Sequence, residues 1–349
     1  MNGMAGSSVV ERTAPWEVAE AEFPWTGRTA ERLAFCVRYA VLAPSGHNTQ
    51  PWRFKIERDV VELWADRSRA LPVVDPEGRE LAISCGAALY HLRLAVRHYG
   101  HVGEVEILPD PKKPDLFARI RLGQLYEIPD AEELLFRMIP RRRTNRQPFA
   151  EKAVPDTLLS ALRMAASQER AWLYIVDDSR ERQVLTDLIT EGDRLLWHDP
   201  DFRRELAEWT RTNRTRSHDG IPGHALGMNG LASYAGPLVM RTFDLGEKQA
   251  EKDRLLVEGA PVLAVLGTGE DTPASWLAAG QALARVLLRA RVERVWASFQ
   301  NQPVEVPGLR SQVPGLIGRT GFPQMILRLG YGPEPEPTPR RGAGEVVVN

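Results

Sequence analysis

The sequence predicts an α+β fold built from two halves that repeat one order of elements. Three observations carry this. Helical spacing at three and four residues and short strands rich in aromatic and β-branched residues both recur along the 349 residues. A helix patterned in leucine, alanine and valine leads twice to a strand that opens on tryptophan: 33–52 is answered by 158–172. A long helix followed by a strand also occurs twice, 79–99 being answered by 273–289. Two copies of one α+β unit would pack about a pseudo-twofold axis, the geometry that a homodimer achieves with two chains.

In order, 1–28 reads as an arm. The helix 30–43 places Leu33, Val37, Ala40 and Val41 on one face and ends at Pro44, which lacks an amide proton and clashes with the preceding turn. A polar loop, 45–51, leads to strands 52–57 and 60–65 around the turn Arg58-Asp59. In the helix 79–99, Leu81, Cys85, Ala88, Leu92, Ala95 and Tyr99 form the apolar face, and Gly100 stops it. Strands at 105–108 and 117–122 and a short helix at 129–139 complete the first half. Pro155 begins the next helix, with Leu158, Leu162 and Ala165 inward, and strand 172–176 follows. Helices are expected at 179–197 and 201–210, strands at 238–243 and 261–266. Thr272 caps a helix that opens on Pro273 and runs to 289. Strands 292–298 and 325–329 close the fold. The division is therefore an arm (1–28), a first half (29–140), a second half (141–332) and a tail (333–349) packing across the halves. The glycine-rich excursion within 191–236 is either a lid or a surface loop.

Composition removes several classes of function. With 45 basic and 46 acidic residues the formal charge is −1, so nothing global draws the chain to nucleic acid or to an anionic membrane. No apolar run approaches the roughly 20 residues of a membrane span, and the N-terminus has no basic start followed by an apolar stretch. Cys36 and Cys85 sit in apolar helical patterns and read as buried thiols; without a CxxC they form no structural zinc site, and a reducing, cytoplasmic setting is expected. The seven histidines are scattered, with no H-E-x-x-H, and no G-x-S-x-G elbow occurs. Gly267-Thr268-Gly269 is no G-x-G-x-x-G, yet it follows a strand and precedes a capped helix, so its amides can meet a ligand.

Two segments stand out. Arg141–Arg146 is a dense run of guanidinium forks with the Thr144 hydroxyl among them, next to Pro148-Phe149. It is either a solvated basic loop or a phosphate site, because the arginine fork matches phosphate oxygens. Ser45–Gln50 is either an ordinary polar loop or a ring-edge binder, since Asn48 and Gln50 donate and accept at once and Gly46 permits close backbone approach. Each half carries the special feature that the other lacks.

The string Ala43-Pro44-Ser45-Gly46-His47-Asn48-Thr49-Gln50-Pro51-Trp52 resembles the flavin loop of nitroreductase-family proteins. Arg142-Arg143-Thr144-Asn145-Arg146 through Phe149 resembles that family's arginine string, and Gly330-Tyr331-Gly332 followed by Arg340-Arg341 resembles its C-terminal segment. From about residue 25 onward the chain is similar to the Acg-like branch, in which two nitroreductase-like units are fused. The resemblance implies mixed or antiparallel sheets flanked by helices, in an internally duplicated pseudo-dimer. It also implies one FMN per chain, with NAD(P)H as reductant and a nitroaromatic, quinone or similar small molecule as acceptor in ping-pong turnover. Arg142, Thr144 and Arg146 would hold the phosphate and ribityl end, with Arg146 tuning the ring. Ser45, His47, Asn48 and Gln50 would line the flavin, Thr268 and Gly269 would lie near the ring, and Arg340 and Arg341 would add positive charge. The chain would be a monomeric pseudo-dimer or a weak homo-oligomer. A closed lid would instead make it a flavin-sequestering stress protein with little turnover.

Overall fold

Local chemistry accounts for the elements of the computed structural model, which describes residues 14–348. The first thirteen positions of the expected arm lie outside the described residues. Helix α1 (Thr29–Ala40) buries Leu33, Val37 and Ala40, and hydrogen-bonded turns carry the chain on to Ala43. Strands β1 (Trp52–Glu57) and β2 (Val60–Ala65) pair antiparallel, with Arg58 at φ 54° in the turn between them. Helix α2 (Arg79–His98), strands β3 (His101–Ile107) and β4 (Leu116–Leu125) and helix α3 (Asp130–Met138) follow.

The second half begins with α4 (Asp156–Ser167) and β5 (Trp172–Ile175). Helices α5 (Ser179–His198) and α6 (Pro200–Trp209) come next, each begun by an aspartate whose carboxylate accepts backbone amides. A two-residue strand pair, β6 (Thr210–Arg211) and β7 (Ile221–Pro222), precedes helices α7 (Ala232–Thr242) and α8 (Gly246–Glu258). Then come β8 (Val262–Thr268), α9 (Pro273–Val292), β9 (Trp296–Phe299), the single-turn α10 (Gln302–Glu305) and β10 (Phe322–Gly330). The tail ends in β11 (Val347–Val348).

The strands form one sheet in the order β11-β1-β2-β4-β3 and another in the order β5-β8-β10-β9. With β11 set aside, the two orders match position by position, and every pairing within them is antiparallel. β11 joins β1 in parallel, which makes the first sheet mixed and ties the tail to the first half. In each sheet a helix leads into the outer strand (α1 to β1, α4 to β5), and a long helix leaves the second (α2 after β2, α9 after β8). Cys36 and Cys85 are buried free thiols.

Two sequence expectations need correction. The expected strand 238–243 is part of helix α7. Its buried residues Ser233, Gly236 and Met240 recur at three and four, whereas Leu238, Val239 and Phe243 face outward, so the apolar run is not a buried strand. Helix α8 went unread because its charged surface hides a short buried stripe, Ala250, Asp253 and Val257.

α2 and α9 pack face to face at the centre, and glycine makes this possible. A Cβ at Gly86 would stand 2.3 Å from the Leu277 carbonyl oxygen, and one at Gly280 would stand 2.0 Å from that of Ile83. Neither neighbour is a flexible side-chain end, so any side chain forces the helices apart. Gly280→Ala is therefore expected to destabilise the chain by about 1–3 kcal/mol. A denaturant midpoint equal to that of the unaltered protein would contradict this crossing.

Candidate functional site

A cavity of about 910 Å³ lies where the two halves meet. The loop 44–48 and Ile83 and Ser84 of α2 line it from the first half; 142–148, Leu283 of α9, and Met325 and Arg328 of β10 line it from the second. The tail contributes Thr338 and Arg340. Its size falls within the roughly 300–1,000 Å³ of cofactor sites.

The loop is locally strained. His47, Asn48 and Gln50 adopt φ of 46°, 56° and 53°, a left-handed region that costs non-glycine residues energy unless the surroundings over-determine it. Here the surroundings do. Asn48 Nδ2 donates to the carbonyls of Gly220 (2.9 Å) and Pro339 (3.0 Å), and its Oδ1 accepts from Arg340. Gln50 Nε2 donates to the His218 carbonyl at 2.8 Å, and Gln50 Oε1 accepts from the Arg341 amide at 2.8 Å. The two amides thus splice the loop to the insertion and to the tail. Ser45 Oγ accepts from the Gln50 amide at 3.0 Å and lines the cavity. His47 also lines it, with a buried Nδ1 that lacks a partner; burial, then the Arg146 charge, push its pKa down to about 4, so the ring is neutral.

The arginines form a cluster without ion-paired acids among the described residues, although Asp253 and Glu334 act on it at longer range. Arg142, Arg143, Arg146, Arg328 and Arg340 all line the cavity, and none is in a salt bridge among the described residues. Arg142 donates to the Leu42 carbonyl at 3.2 Å, and Arg328 to the Gln147 carbonyl at 3.0 Å. Arg340 donates to Thr338 Oγ1 at 2.7 Å. The Nε atoms of Arg142, Arg143, Arg328 and Arg340 are buried without partners, and Arg146 makes no hydrogen bond among the described residues. Burial, reinforced by Arg143, holds the Arg142 pKa down at about 9; burial brings Arg143 and Arg328 to about 10 and Arg340 well below its usual value. Desolvated like charges are costly, and an anion among them removes the cost.

Of the sequence-derived residues, Ser45, His47, Asn48, Arg142, Thr144, Arg146 and Arg340 meet at the cavity. Gln50, Thr268, Gly269 and Arg341 do not line it. The Gln50 and Arg341 polar groups are engaged with each other, and Arg341 also donates to the Glu345 carbonyl. Thr268 lies opposite Phe322 in the sheet, with its hydroxyl donating to the Glu270 carbonyl and accepting from Gln324. Arg328 and the cavity acids escaped the sequence reading. Arg328 had a signal, a charge inside the otherwise apolar run Met325–Leu329.

The far side of the cavity is apolar and belongs to the insertion: Trp197, Phe202, Leu206, Met228 and Met240. The lining continues beyond 236, since Gln249, Lys252 and Asp253 of α8 also border the cavity. Two carboxyls that line the cavity, Asp193 of the insertion and Glu80 of α2, have raised pKa values, although Glu80 still accepts from Arg79 at 3.0 Å. Burial, with Asp253 nearby, raises Asp193 to about 8; burial raises Glu80 to about 7 against the opposing charge of Arg79. Among the described residues no cluster of His, Cys, Asp or Glu could hold a metal ion, and no helix is long and apolar enough to cross a membrane.

Asp219 ties the insertion to the first half by pairing with Arg69, and it also pairs with Arg211 within the insertion. Glu205 adds a second tie by accepting the amides of Val73 and Val74 at 3.0 and 3.1 Å. Burial raises the Asp219 pKa, but hydrogen bonds from Arg69 and Arg211 outweigh it and the net shift is downward. A depressed carboxyl stabilises above its unfolded pKa of about 3.9, and that stabilisation is lost as the pH falls through the folded value. At neutral pH, Asp219→Asn is expected to weaken the tie by about 1.5–3 kcal/mol. Limited proteolysis should then cut faster within 211–227, whereas unchanged cutting at pH 7 would count against the tie.

No family model matches the chain. It is 32% identical over 333 residues to the Mycobacterium tuberculosis protein named "Putative NAD(P)H nitroreductase acg", covering 93% of this chain and 97% of that one. A second M. tuberculosis relative, "Putative NAD(P)H nitroreductase Rv3131", is 32% identical over 325 residues, with 91% of each chain covered. Among solved structures, the FMN- and NADPH-dependent nitroreductase NfnB of a Sphigopyxis strain aligns at a TM-score of 0.43 and 19% identity, over 63% of this chain and 98% of that one. Iodotyrosine deiodinase aligns at 0.40 and 16%, over 62% and 97%. On the strength of the full-length relatives, the chain belongs to the nitroreductase superfamily, in its Acg-like branch.

Proposed function

We propose that the chain binds one FMN between its halves and acts as an NAD(P)H-dependent oxidoreductase that passes electrons to a nitroaromatic, quinone or similar small acceptor. The observation that carries this reading is the buried set of arginines without acid partners, set against the loop 44–48 in one cavity. Orphaned guanidinium nitrogens fit a phosphate monoester, because each is a buried donor that lacks an acceptor. The names of the full-length relatives point the same way.

The residues divide the work. Arg142, Arg340 and Arg143 would hold the phosphate. Arg146 and the neutral His47, next to each other at the cavity wall, would meet the ring end, where a cation favours the electron-rich form. FMN, when bound, supplies the hydride and electron chemistry. Asp193, whose pKa is raised to about 8, would be the proton donor of the cavity, whereas Glu80, raised to about 7, is paired with Arg79. The apolar wall from the insertion would take a flat acceptor in place of the nicotinamide, which makes the sequence ping-pong. The matched sheet orders support reading the halves as fused copies. The loop comes from one copy and the arginine segment from the other, so one chain would hold one flavin. The chain would work in the cytoplasm as a monomeric pseudo-dimer.

A second reading is favoured by one feature, the double latch at Asp219 and Glu205 that holds the insertion over the cavity. If the latch does not open, the protein stores flavin without turnover. Anaerobic mixing of the flavin-loaded protein with NADPH separates the two: bleaching of the flavin band within seconds is expected, and colour that only dithionite removes would transfer the proposal to storage. For the site itself, Arg142→Ala combined with Arg146→Ala is expected to weaken FMN binding by about 3–6 kcal/mol, two charged hydrogen bonds at about 1.5–3 each. Calorimetry giving unchanged affinity would remove the arginines from the site.

A further inference from the structure

Trp16 precedes both halves, belongs to neither, and lies beneath the arginine cluster. Its ring centroid is 3.6 Å from the guanidinium carbon of Arg143, 4.7 Å from that of Arg340 and 6.0 Å from that of Arg142. Trp16 is buried at 5% exposure, and its indole nitrogen donates to the Thr338 carbonyl at 2.8 Å, two residues before Arg340. Three guanidiniums therefore gather around one indole ring, while their hydrogen bonds go only to carbonyls, one amide oxygen and one hydroxyl.

This arrangement answers a physical question. Arg142, Arg143 and Arg340 repel one another, and no carboxylate pairs with any of them among the described residues. Glu334 attracts Arg143 only at longer range. A carboxylate within reach would hold the cluster together but would also neutralise it and compete with an incoming anion. An indole face attracts cations through its quadrupole, carries no net charge and accepts no hydrogen from the guanidinium edges. The cluster is thereby concentrated while the Nε donors of all three stay without an acceptor.

We propose that Trp16 is the positioning residue that confers selectivity for a phosphate-bearing ligand, by holding Arg142, Arg143 and Arg340 together as an unneutralised anion site. The proposal rests on the FMN reading above and extends it to a residue outside the cavity wall. It predicts that Trp16 affects the phosphate of the ligand and not its ring.

The test titrates the full-length, flavin-free chain with FMN and with riboflavin, which lacks the phosphate, following the flavin fluorescence. The unaltered protein should prefer FMN. Trp16→Leu keeps apolar bulk without the quadrupole and is expected to lower FMN affinity about tenfold while riboflavin affinity stays within about twofold. Trp16→Phe keeps a π face and should retain FMN affinity within about threefold. Unchanged riboflavin binding also certifies that each variant is folded. The proposal is overturned if the Leu and Phe variants bind FMN equally well, or if FMN and riboflavin affinities fall together. Failure of the unaltered protein to prefer FMN is a separate result and removes the FMN reading itself.

Discussion

The site depends on one unfavourable juxtaposition, five arginines that line one cavity, three of them buried, with none held in an ion pair among the described residues. Arranging them that way is costly, because each loses hydration and feels its neighbours. The fold meets the cost from several directions. Backbone carbonyls of Leu42, Pro140, Gln147 and Pro339 accept from four of the five, and ring faces cover them, Trp16 under Arg143 and Arg340 and Phe149 under Arg328 at 4.4 Å. Those contacts come from the lead-in segment, both halves and the tail, so the site exists only when the whole chain has folded around it.

The loop 44–50 obeys the same logic. Three consecutive-range residues in left-handed conformation would not persist in an isolated peptide. Asn48 and Gln50 hold them by reaching past the cavity to Gly220, His218, Pro339 and Arg341. The polar groups that suggested ligand recognition are therefore largely spent on positioning the loop backbone, and what faces the cavity is Ser45, His47 and part of Asn48.

What the sequence made legible follows from this division. Elements with strong local signals were readable: α2 from its apolar face at 81, 85, 88, 92 and 95, and α9 from the Thr272-Pro273 cap. The arginine segment was readable because five of the six residues from 141 to 146 are polar cations or their amide neighbour, a density no ordinary loop needs. Residues whose roles come from distant partners were not readable. Nothing local marks Trp16 or tells Gln50 from a ligand-facing amide, since their partners lie 322 and 291 positions away. The insertion was misread for a related reason: Leu238, Val239 and Phe243 mimic a strand because their exposed faces are apolar, and only the spacing of Ser233, Gly236 and Met240 betrays the helix.

The lead-in segment and the insertion are tied to the rest of the chain in different ways. Trp16 joins the tail behind the arginines, its indole donating to the Thr338 carbonyl. The insertion meets the first half through core packing, where Leu71 and Val74 join Trp197, Phe202, Leu206 and Met240 in one buried cluster, and through the hydrogen-bonded carboxylates Asp219 and Glu205. Neither carboxylate belongs to the α2–α9 crossing, so the ties of the insertion and the close approach of the two central helices are separate constraints on the fold.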